Sequence, residues 1–377
     1  MTLGVLKEPV VETRVSLLPD HVVFLKKLNT RVLVEEDAGI TAFASNEKYI
    51  EAGAEMMSRK DVLEKSDLIL SINNLTLEDL ELMKPGTIVL GIYQPLWNSV
   101  LMQDWATRSL TVFSIDMIPR TTRAQSMDVL SSQANIAGYK AVLHAANLFP
   151  RYFPMFMTAA GSIPPAKLLI LGAGVAGLQA IDTAKRLGAV VEVFDTRPAS
   201  KEEVMSLGAK FIEVEGAADA SKAGGYAVEQ SADFMQRQKD KIAESVAKAD
   251  IVITTAQIPG KLAPILITEE MINKMKNGSI IIDLAAATGG NTAITKNGET
   301  VKHNGVSIIG DSALAGTMPS DASKLYGKNI LNFLQLLITK DGALNLNFED
   351  DLVKGTCIVH EGKITNERVW AISKQGQ

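Results

Sequence analysis

The chain has 377 residues, enough for two domains, and its formal net charge of −5 argues against a nucleic-acid-binding surface, which is normally basic. Apolar residues make up 46% and charged residues 21% of the chain, a composition typical of a globular protein. A single cysteine, Cys357, excludes an intrachain disulfide and a cysteine metal cluster, and it favours a reducing compartment.

No segment predicts membrane insertion or secretion. The longest apolar stretches, such as residues 168–178, are shorter than the roughly 18 residues that a membrane helix needs. The N-terminal sequence MTLGVLKEPVVETR lacks the basic region followed by an apolar one that marks a secretory signal. We therefore expect a cytoplasmic protein.

In the first third, short apolar runs alternate with amphipathic stretches, a pattern typical of α/β architecture with parallel sheets. Helices are predicted at Asp20–Leu28 and Ser58–Lys65. The predicted strands are Leu3–Leu6, Arg31–Glu35, Asp67–Ser71, Thr87–Ile92 and Thr111–Ile115.

A second series of strands begins at Lys167 and reads KLLIL, VVEVF, KFIEV, DIVIT, SIIID and VSIIG. Long helices are predicted on either side of it, at Ser131–Leu148 and Ser320–Lys340. We therefore expect two Rossmann-like domains with parallel sheets, joined by these two bridging helices and separated by a ligand cleft. The predicted boundaries give an N-terminal, discontinuous α/β domain of residues 1–130 plus 320–377 and a Rossmann domain of residues 131–319.

The strand KLLIL is followed by the sequence GAGVAG and then by a predicted helix, which is the setting that gives a G-x-G-x-x-G motif its meaning. In that setting the first glycine permits a tight turn, the second lets backbone approach a pyrophosphate, and the third allows close helix packing. A structural interpretation, in which the glycines merely make a tight turn, is less favoured in this setting. The predicted pyrophosphate-binding residues are Gly172, Gly174, Val175, Ala176 and Gly177.

The strand VVEVF ends at Asp195, 23 positions after Gly172 and close to the spacing of a ribose-binding acid. A carboxylate there would accept hydrogen bonds from both ribose hydroxyls and repel a 2′-phosphate, which predicts NAD rather than NADP. Arg197 could instead accept a 2′-phosphate, but the acid holds the strand-end position. Thr196 and Arg197 are included in the predicted nucleotide site.

The loop that precedes the first bridging helix is dense in hydrogen-bonding side chains. Its position at a domain junction suggests a ligand site, because ligand clefts open there. From residue types alone, a solvated loop whose Asp128 and Ser131 cap the helix is the favoured interpretation. The candidate residues are Arg120, Thr121, Thr122, Arg123, Gln125, Asp128 and Ser131.

Residues 215–250 separate two strands and begin with a run of small and polar residues that contains Gly224, Gly225 and Tyr226. We predict a flexible flap over a nucleotide cleft, followed by a helix. A plain surface loop is the alternative.

The four histidines, at positions 21, 144, 303 and 360, lack metal-ligand spacing, so no metal site is predicted. No Ser/His/Asp or Cys/His arrangement is evident in the sequence either.

These features together resemble the alanine dehydrogenase/transhydrogenase family over essentially the whole chain. The resemblance runs from KEPVVETRVSLLP through PRTTRAQSMDVLSSQANIAGYKAV and MTAAGSIPPAKLLILGAGVAGLQA to LYGKNILNFLQLL and VKGTCIV. It implies that Arg120, Gln125 and Asp128 hold the nicotinamide end of NAD, with Ser131 nearby. It also implies that the mobile loop carries Gly225 and Tyr226, and that Gln238 and Gln257 line the site.

Within that family the chain resembles the NAD(H)-binding subunits of proton-translocating transhydrogenases. The resemblance implies NAD(H) on this chain and NADP(H) on a partner, the beta subunit or domain III. It further implies separate membrane-spanning domain II subunits, a homodimer, and a peripheral position on the cytoplasmic face of the inner membrane.

Two alternatives stay open. An alanine dehydrogenase needs a lysine, a histidine and an acid, but the corresponding regions read LSINNL, GIYQPL and DLAAATGG, with Ala287 where the acid would be. Arg14 could still meet a substrate carboxylate. A non-catalytic NAD(H) sensor is the second alternative.

Overall fold

The computed structural model describes residues 1–214 and 231–375. Within them the chain forms two compact units, Met1–Gln133 with Gly316–Gln377 and Ala134–Ala315. The described strands are β1 Thr2–Val5, β2 Arg31–Glu35, β3 Glu55–Met57, β4 Leu68–Leu70, β5 Ile88–Gly91, β6 Thr111–Ser114, β7 Phe156–Thr158, β8 Gly161–Ile163, β9 Lys167–Leu171, β10 Val190–Phe194, β11 Lys210–Phe211, β12 Ile251–Thr254, β13 Ile280–Asp283, β14 Glu299–His303, β15 Val306–Gly310, β16 Cys357–His360 and β17 Lys363–Ile364.

The α-helices alternate with these strands. They are α1 Pro19–Lys27, α2 Asn46–Glu51, α3 Arg59–Lys65, α4 Leu77–Leu82, α5 Ser99–Thr107, α6 Val129–Leu148, α7 Val175–Arg186, α8 Ser200–Ser206, α9 Ala232–Lys248, α10 Glu269–Asn273, α11 Pro319–Leu337, α12 Asp351–Thr356 and α13 Glu367–Gln375. In the described part of the chain, none of them is both long and apolar enough to cross a bilayer.

The first unit is built on one eight-stranded sheet with the order β17-β16-β6-β5-β4-β1-β2-β3. The strands β1 to β6 are parallel, and β16 joins β6 in the antiparallel direction. Alternate residues of β4 enter opposite cores: Leu68 and Leu70 pack with Phe333 of α11, whereas Ile69 packs with Trp105 of α5. Both faces of the sheet are therefore buried, as expected for parallel strands.

The second unit contains a seven-stranded sheet with the order β11-β10-β9-β12-β13-β15-β14. It is parallel except for β14, which is antiparallel to β15. On one face Leu168 and Ile170 of β9 pack with Ile181 of α7, and on the other Leu169 packs with Val246 of α9. Because both faces of β9 are covered, the sequence of this strand is a nearly continuous apolar run.

The predicted fold class, α/β with parallel sheets in two Rossmann-like halves, is confirmed. The helix α6 crosses the boundary between the units, whereas α11 lies within the first unit, because the chain passes from one unit to the other at residues 315 and 316. The short strand β3, the hairpin β7–β8 and the edge strand β14 are absent from the sequence-based prediction.

Candidate functional site

The glycine-rich turn joins β9 to α7 at the point where the strand order of the second unit reverses. The chain leaves β9, builds β10 and β11 on one side, and then builds β12 and β13 on the other. At such a reversal the loops that follow neighbouring strands diverge and leave a crevice at the carboxyl ends of the strands, where ligands of α/β proteins bind. The turn therefore lies at the expected place for a ligand.

The three glycines of the turn have different reasons for lacking a side chain. Gly172 has a φ of +109°, a left-handed conformation that favours glycine. A Cβ at Gly177 would lie 1.9 Å from the Gly172 carbonyl oxygen, so glycine is needed for α7 to pack on the end of β9. At Gly174 the φ is an ordinary −74°, and no described heavy atom lies within 4 Å of an added Cβ. The fold requires Gly172 and Gly177, whereas the space beside Gly174 is open.

The N-terminus of α7 faces this turn. Gly174 is its N-cap residue and forms no side-chain cap, and its carbonyl accepts a hydrogen bond from the Leu178 N–H at 2.8 Å. The N–H groups of Val175, Ala176 and Gly177 therefore precede the regular helical bonding. Unbonded N–H groups and the positive end of the helix dipole together favour an anion.

Asp195 lies beside this turn, immediately after β10, and its carboxylate accepts four hydrogen bonds. Oδ2 accepts from the Ala173 N–H at 2.7 Å and from Arg197 Nη2 at 2.8 Å. Oδ1 accepts from the Arg197 N–H at 2.8 Å and from Arg197 Nε at 2.9 Å. The acid thus fixes the shape of the glycine turn through Ala173 and holds the Arg197 guanidinium, whose pKa it raises further.

A cavity of about 100 Å³ opens beside Asp195. Two aromatic rings form part of its wall, and a salt bridge of 2.5 Å joins Lys201 to Glu213 within the lining. The cavity combines an apolar wall with a polar rim, as small-molecule sites commonly do. Its lining residues are Phe194, Asp195, Thr196, Pro198, Lys201, Phe211, Glu213 and Val214.

The other wall of the crevice is fixed by residues that sequence reasoning did not single out, apart from Gln257. Thr255, after β12, donates from Oγ1 to the Gly172 carbonyl at 3.1 Å. The buried Asn291 accepts from the Ala256 N–H at 3.0 Å and donates to the Ala256 carbonyl at 2.8 Å. Gln257 donates from Nε2 to the Leu284 carbonyl at 3.0 Å. An asparagine directly after paired glycines was the available sequence signal for this clamp.

Two other predicted contacts are located differently. Gln238 is half-buried on α9. Gly225 and Tyr226, predicted to belong to a mobile flap, lie outside the described residues.

In the first unit the polar loop after β6 surrounds a cavity of about 280 Å³. Gln125 and Arg120 are exposed beside it, and the loop contains a short 3-10 helix, Thr122–Met127. The loop therefore brings most of the predicted nicotinamide-binding side chains around one opening. The lining residues are Ile118, Pro119, Arg120, Thr121, Thr122, Ala124, Gln125 and Asp128.

Three candidates of this loop have structural partners. Asp128 accepts from the Ser131 N–H at 2.9 Å and from Ser131 Oγ at 2.6 Å, which caps the first turn of α6. Arg123 does not line the cavity; its guanidinium pairs with Asp350 and, at 2.6 Å, with Asp351. Asp128 and Ser131 thus stabilise the helix that carries the loop, and Arg123 ties the loop to α12.

A second polar cluster, also missed in the sequence, lies at the carboxyl ends of β1 and β4. Glu8 accepts from the Ile72 N–H at 2.5 Å and from the Asn73 N–H at 3.1 Å, and burial raises its pKa to about 7. Nearby, Arg14 is held by Glu12 in a two-pronged ion pair at 2.8 and 2.6 Å. The Arg14 charge therefore has a partner within the chain.

Among the described residues, no group of three histidine, cysteine, aspartate or glutamate side chains is placed to hold a metal ion. The site consists of backbone N–H groups, carboxylates, amides and guanidinium groups. Such a set suits a polyol, an amide and an anionic group on one ligand.

The comparisons with known proteins identify one family. Its two models, described as Alanine dehydrogenase/PNT, N-terminal domain and C-terminal domain, match residues 4–137 and 141–367. The chain is 44% identical over 374 residues to an NAD(P) transhydrogenase subunit alpha protein of Rhodospirillum rubrum, with 97% of each chain covered. A solved transhydrogenase structure from Sinorhizobium meliloti aligns with a TM-score of 0.88 and 43% identity, covering 97% of this chain and 100% of that one. An alanine dehydrogenase of Staphylococcus haemolyticus is 25% identical over 349 residues, which is 90% of this chain and 88% of that protein.

Proposed function

This chain belongs to the alanine dehydrogenase/PNT family, and we propose that it is the NAD(H)-binding subunit of a proton-translocating transhydrogenase. In this role it passes hydride between NADH and NADP⁺ held by a separate subunit. The observation that carries the proposal is the turn at residues 172–177 with Asp195 beside it, because together they supply an anion site next to an acceptor for hydroxyl groups.

In the second unit the open space at Gly174 and the N–H groups at the start of α7 would hold the pyrophosphate of the nucleotide. Asp195 would accept hydrogen bonds from the adenosine ribose hydroxyls. The apolar part of the cavity formed by Phe194, Phe211 and Val214 suits a flat aromatic base. These residues give binding and orientation, and the nicotinamide ring supplies the hydride chemistry when it is bound.

We assign the nicotinamide end to the loop of the first unit, on the family resemblance and on its polar cavity. Arg120 and Gln125 would orient the carboxamide and the ring, and Thr121 and Thr122 would add hydroxyl groups. Asp128 and Ser131 would act as positioning residues, because their mutual bonds fix the start of α6 and thereby the loop.

Hydride transfer between two nicotinamide rings removes no proton from the reacting carbon, so it requires no general acid or base at that atom. The protein must bring the rings close together and exclude water. A loop of amide, guanidinium and hydroxyl groups is sufficient for that task. Proton translocation would then belong to separate membrane-spanning subunits.

An alanine dehydrogenase is the competing activity, and the region that should carry its chemistry argues against it. Residues 70–75 and 91–96 contain no lysine or histidine. Asn73 stands in the first of these segments and donates from Nδ2 to Glu8 at 3.0 Å. We therefore expect no oxidation of L-alanine with NAD⁺, and a steady-state rate of about 1 s⁻¹ or more would overturn the transhydrogenase assignment.

The decisive experiment is single-turnover mixing of the chain, loaded with NADH, with an NADP⁺-loaded NADP(H)-binding subunit of a transhydrogenase. We expect NADPH to form at the rate at which NADH is consumed. NADH binding without transfer would instead support a non-catalytic sensor. The expected subunit assembly, a homodimer bound peripherally to membrane subunits at the cytoplasmic face, is tested separately by co-purification from membranes.

A further inference from the structure

The carboxylate of Asp195 is fully engaged by groups of the chain itself. An ionised carboxylate has about four acceptor positions, two on each oxygen. In Asp195 the Ala173 and Arg197 backbone N–H groups occupy one position on each oxygen. The Arg197 side chain occupies the other two, with Nε on Oδ1 and Nη2 on Oδ2.

The two side-chain contacts differ from the two backbone contacts in what can move. The backbone N–H groups belong to the glycine turn and to the residues that follow β10, so they are fixed with the fold. The Arg197 side chain is 23% exposed, whereas that of Asp195 is 7% exposed, so the guanidinium lies on the outer side of the pair. A ligand that approaches from the crevice therefore meets Arg197 before it reaches the carboxylate.

A ribose diol and a guanidinium fork make equivalent demands on a carboxylate, because each presents two donors to its two oxygens. The nucleotide can gain both ribose contacts only when the side chain of Arg197 leaves. The backbone bonds to Ala173 and Arg197 can stay in place during this exchange. The glycine turn is then held in one shape before and after binding.

We propose that Arg197 is a second determinant of nucleotide specificity: its side chain occupies the two ribose positions of Asp195 until a nucleotide displaces it, and its charge weakens the discrimination against NADPH. The inference rests on the proposed function, because it assigns Asp195 to the ribose. Paired with Arg197, the carboxylate repels a 2′-phosphate less than an unpaired carboxylate does. Once displaced, the guanidinium is also a suitable donor for that phosphate.

The test measures the ratio of NADPH to NADH dissociation constants by fluorescence titration. The ratio is the right quantity because both ligands carry the same pyrophosphate, so a change in overall charge affects both. Arg197→Met should raise the ratio at least about tenfold, a shift of about 1.4 kcal/mol. Two effects act in the same direction, since the variant leaves Asp195 unpaired and removes the cation that could receive the 2′-phosphate.

Two further variants separate a specific effect from a general one. Lys210→Met removes one positive charge from an exposed ion pair with Glu192 on the neighbouring strands, and it should leave the ratio within about twofold. Arg197→Lys keeps the charge and should return the ratio to within about threefold of that of the unsubstituted chain.

Each contrary outcome has a distinct meaning. An unchanged ratio in Arg197→Met, or an equal rise in Lys210→Met, would overturn the role of Arg197 while NADH binding itself stands. A rise in Arg197→Lys as large as in Arg197→Met would overturn the electrostatic component of the proposal. Failure of the unsubstituted chain to bind NADH at all would overturn the proposed function together with this inference.

Discussion

Replacing Gly174 by alanine separates ligand binding from folding more cleanly than any other change in the turn. Its φ of −74° and ψ of −171° are accessible to alanine, and no described atom lies within 4 Å of the added Cβ. As the N-cap residue of α7, alanine is less favourable than glycine by up to about 1 kcal/mol. We therefore expect the free energy of unfolding to fall by no more than that.

Binding should respond much more strongly. The methyl group would fill the open space through which a pyrophosphate approaches the N–H groups of α7. Each hydrogen bond to a charged group contributes about 1.5–3 kcal/mol, so losing one or two of them costs about 3 kcal/mol. That corresponds to a rise in the NADH dissociation constant of about a hundredfold.

The assay pairs a fluorescence titration of NADH with urea unfolding of the same preparations. Gly177→Ala is the matched control, since its Cβ would lie 1.9 Å from the Gly172 carbonyl oxygen and must shift α7 or the turn. We expect Gly177→Ala to lose stability and Gly174→Ala to keep it. An NADH dissociation constant within about threefold of the original in Gly174→Ala would refute the pyrophosphate assignment.

Three further predictions concern single side chains. We expect the unsubstituted chain to bind NADH at least about tenfold more tightly than NADPH, and Asp195→Ala should narrow this gap in parallel titrations because the carboxylate repels a 2′-phosphate; equal affinities in the unsubstituted chain would contradict the assignment. Gln125→Asn should slow single-turnover transfer at least about tenfold in stopped flow, with NADH affinity changed less than about threefold, because the adenosine half stays anchored; an unchanged rate would leave Gln125 as a solvated loop residue. Burial lowers the pKa of His21 from 6.5 to about 4, and its Nδ1 accepts from the Leu18 N–H at 3.0 Å, so its contribution to stability is present above pH 6.5 and is lost as the pH falls through 4. That loss is about 3 kcal/mol in urea unfolding, and His21→Asn, which keeps an acceptor, should reduce it; an equal loss in the variant would show that other groups cause it.

The central strands were predictable because burial on both faces leaves a continuous apolar signal. The runs KLLIL and VVEVF form β9 and β10 with the predicted bounds. The edge strand β14 reads ETVKH, in which exposed polar residues carry no such signal. In β11 the predicted run KFIEV pairs at Lys210 and Phe211 alone among the described residues, since the neighbouring strand supplies partners for those two residues.

The resemblance to the family is confirmed by the comparisons, whereas the partners of individual side chains could not be read from the sequence. The motif places Asp195 near the glycine turn, but the bond from the Ala173 N–H and the fork from Arg197 depend on backbone geometry. In the same way, the sequence left Asp128 between a ligand contact and a helix cap. The structure shows the capping bonds to Ser131, and the proposed positioning role follows from them.

The two units carry the same strand-order reversal, yet their crevices differ in what fills them. In the first unit the reversal lies between β1 and β4, and the Glu8 carboxylate bridges it by accepting N–H groups of Ile72 and Asn73. In the second unit it lies between β9 and β12, where Thr255 Oγ1 bonds the Gly172 carbonyl and the space beside Gly174 stays open among the described residues. A buried carboxylate at the first reversal takes up backbone N–H groups that would otherwise meet an anionic ligand, and its negative charge opposes a phosphate. Topology alone would allow a nucleotide in either unit, and the side chains at the two reversals favour the second.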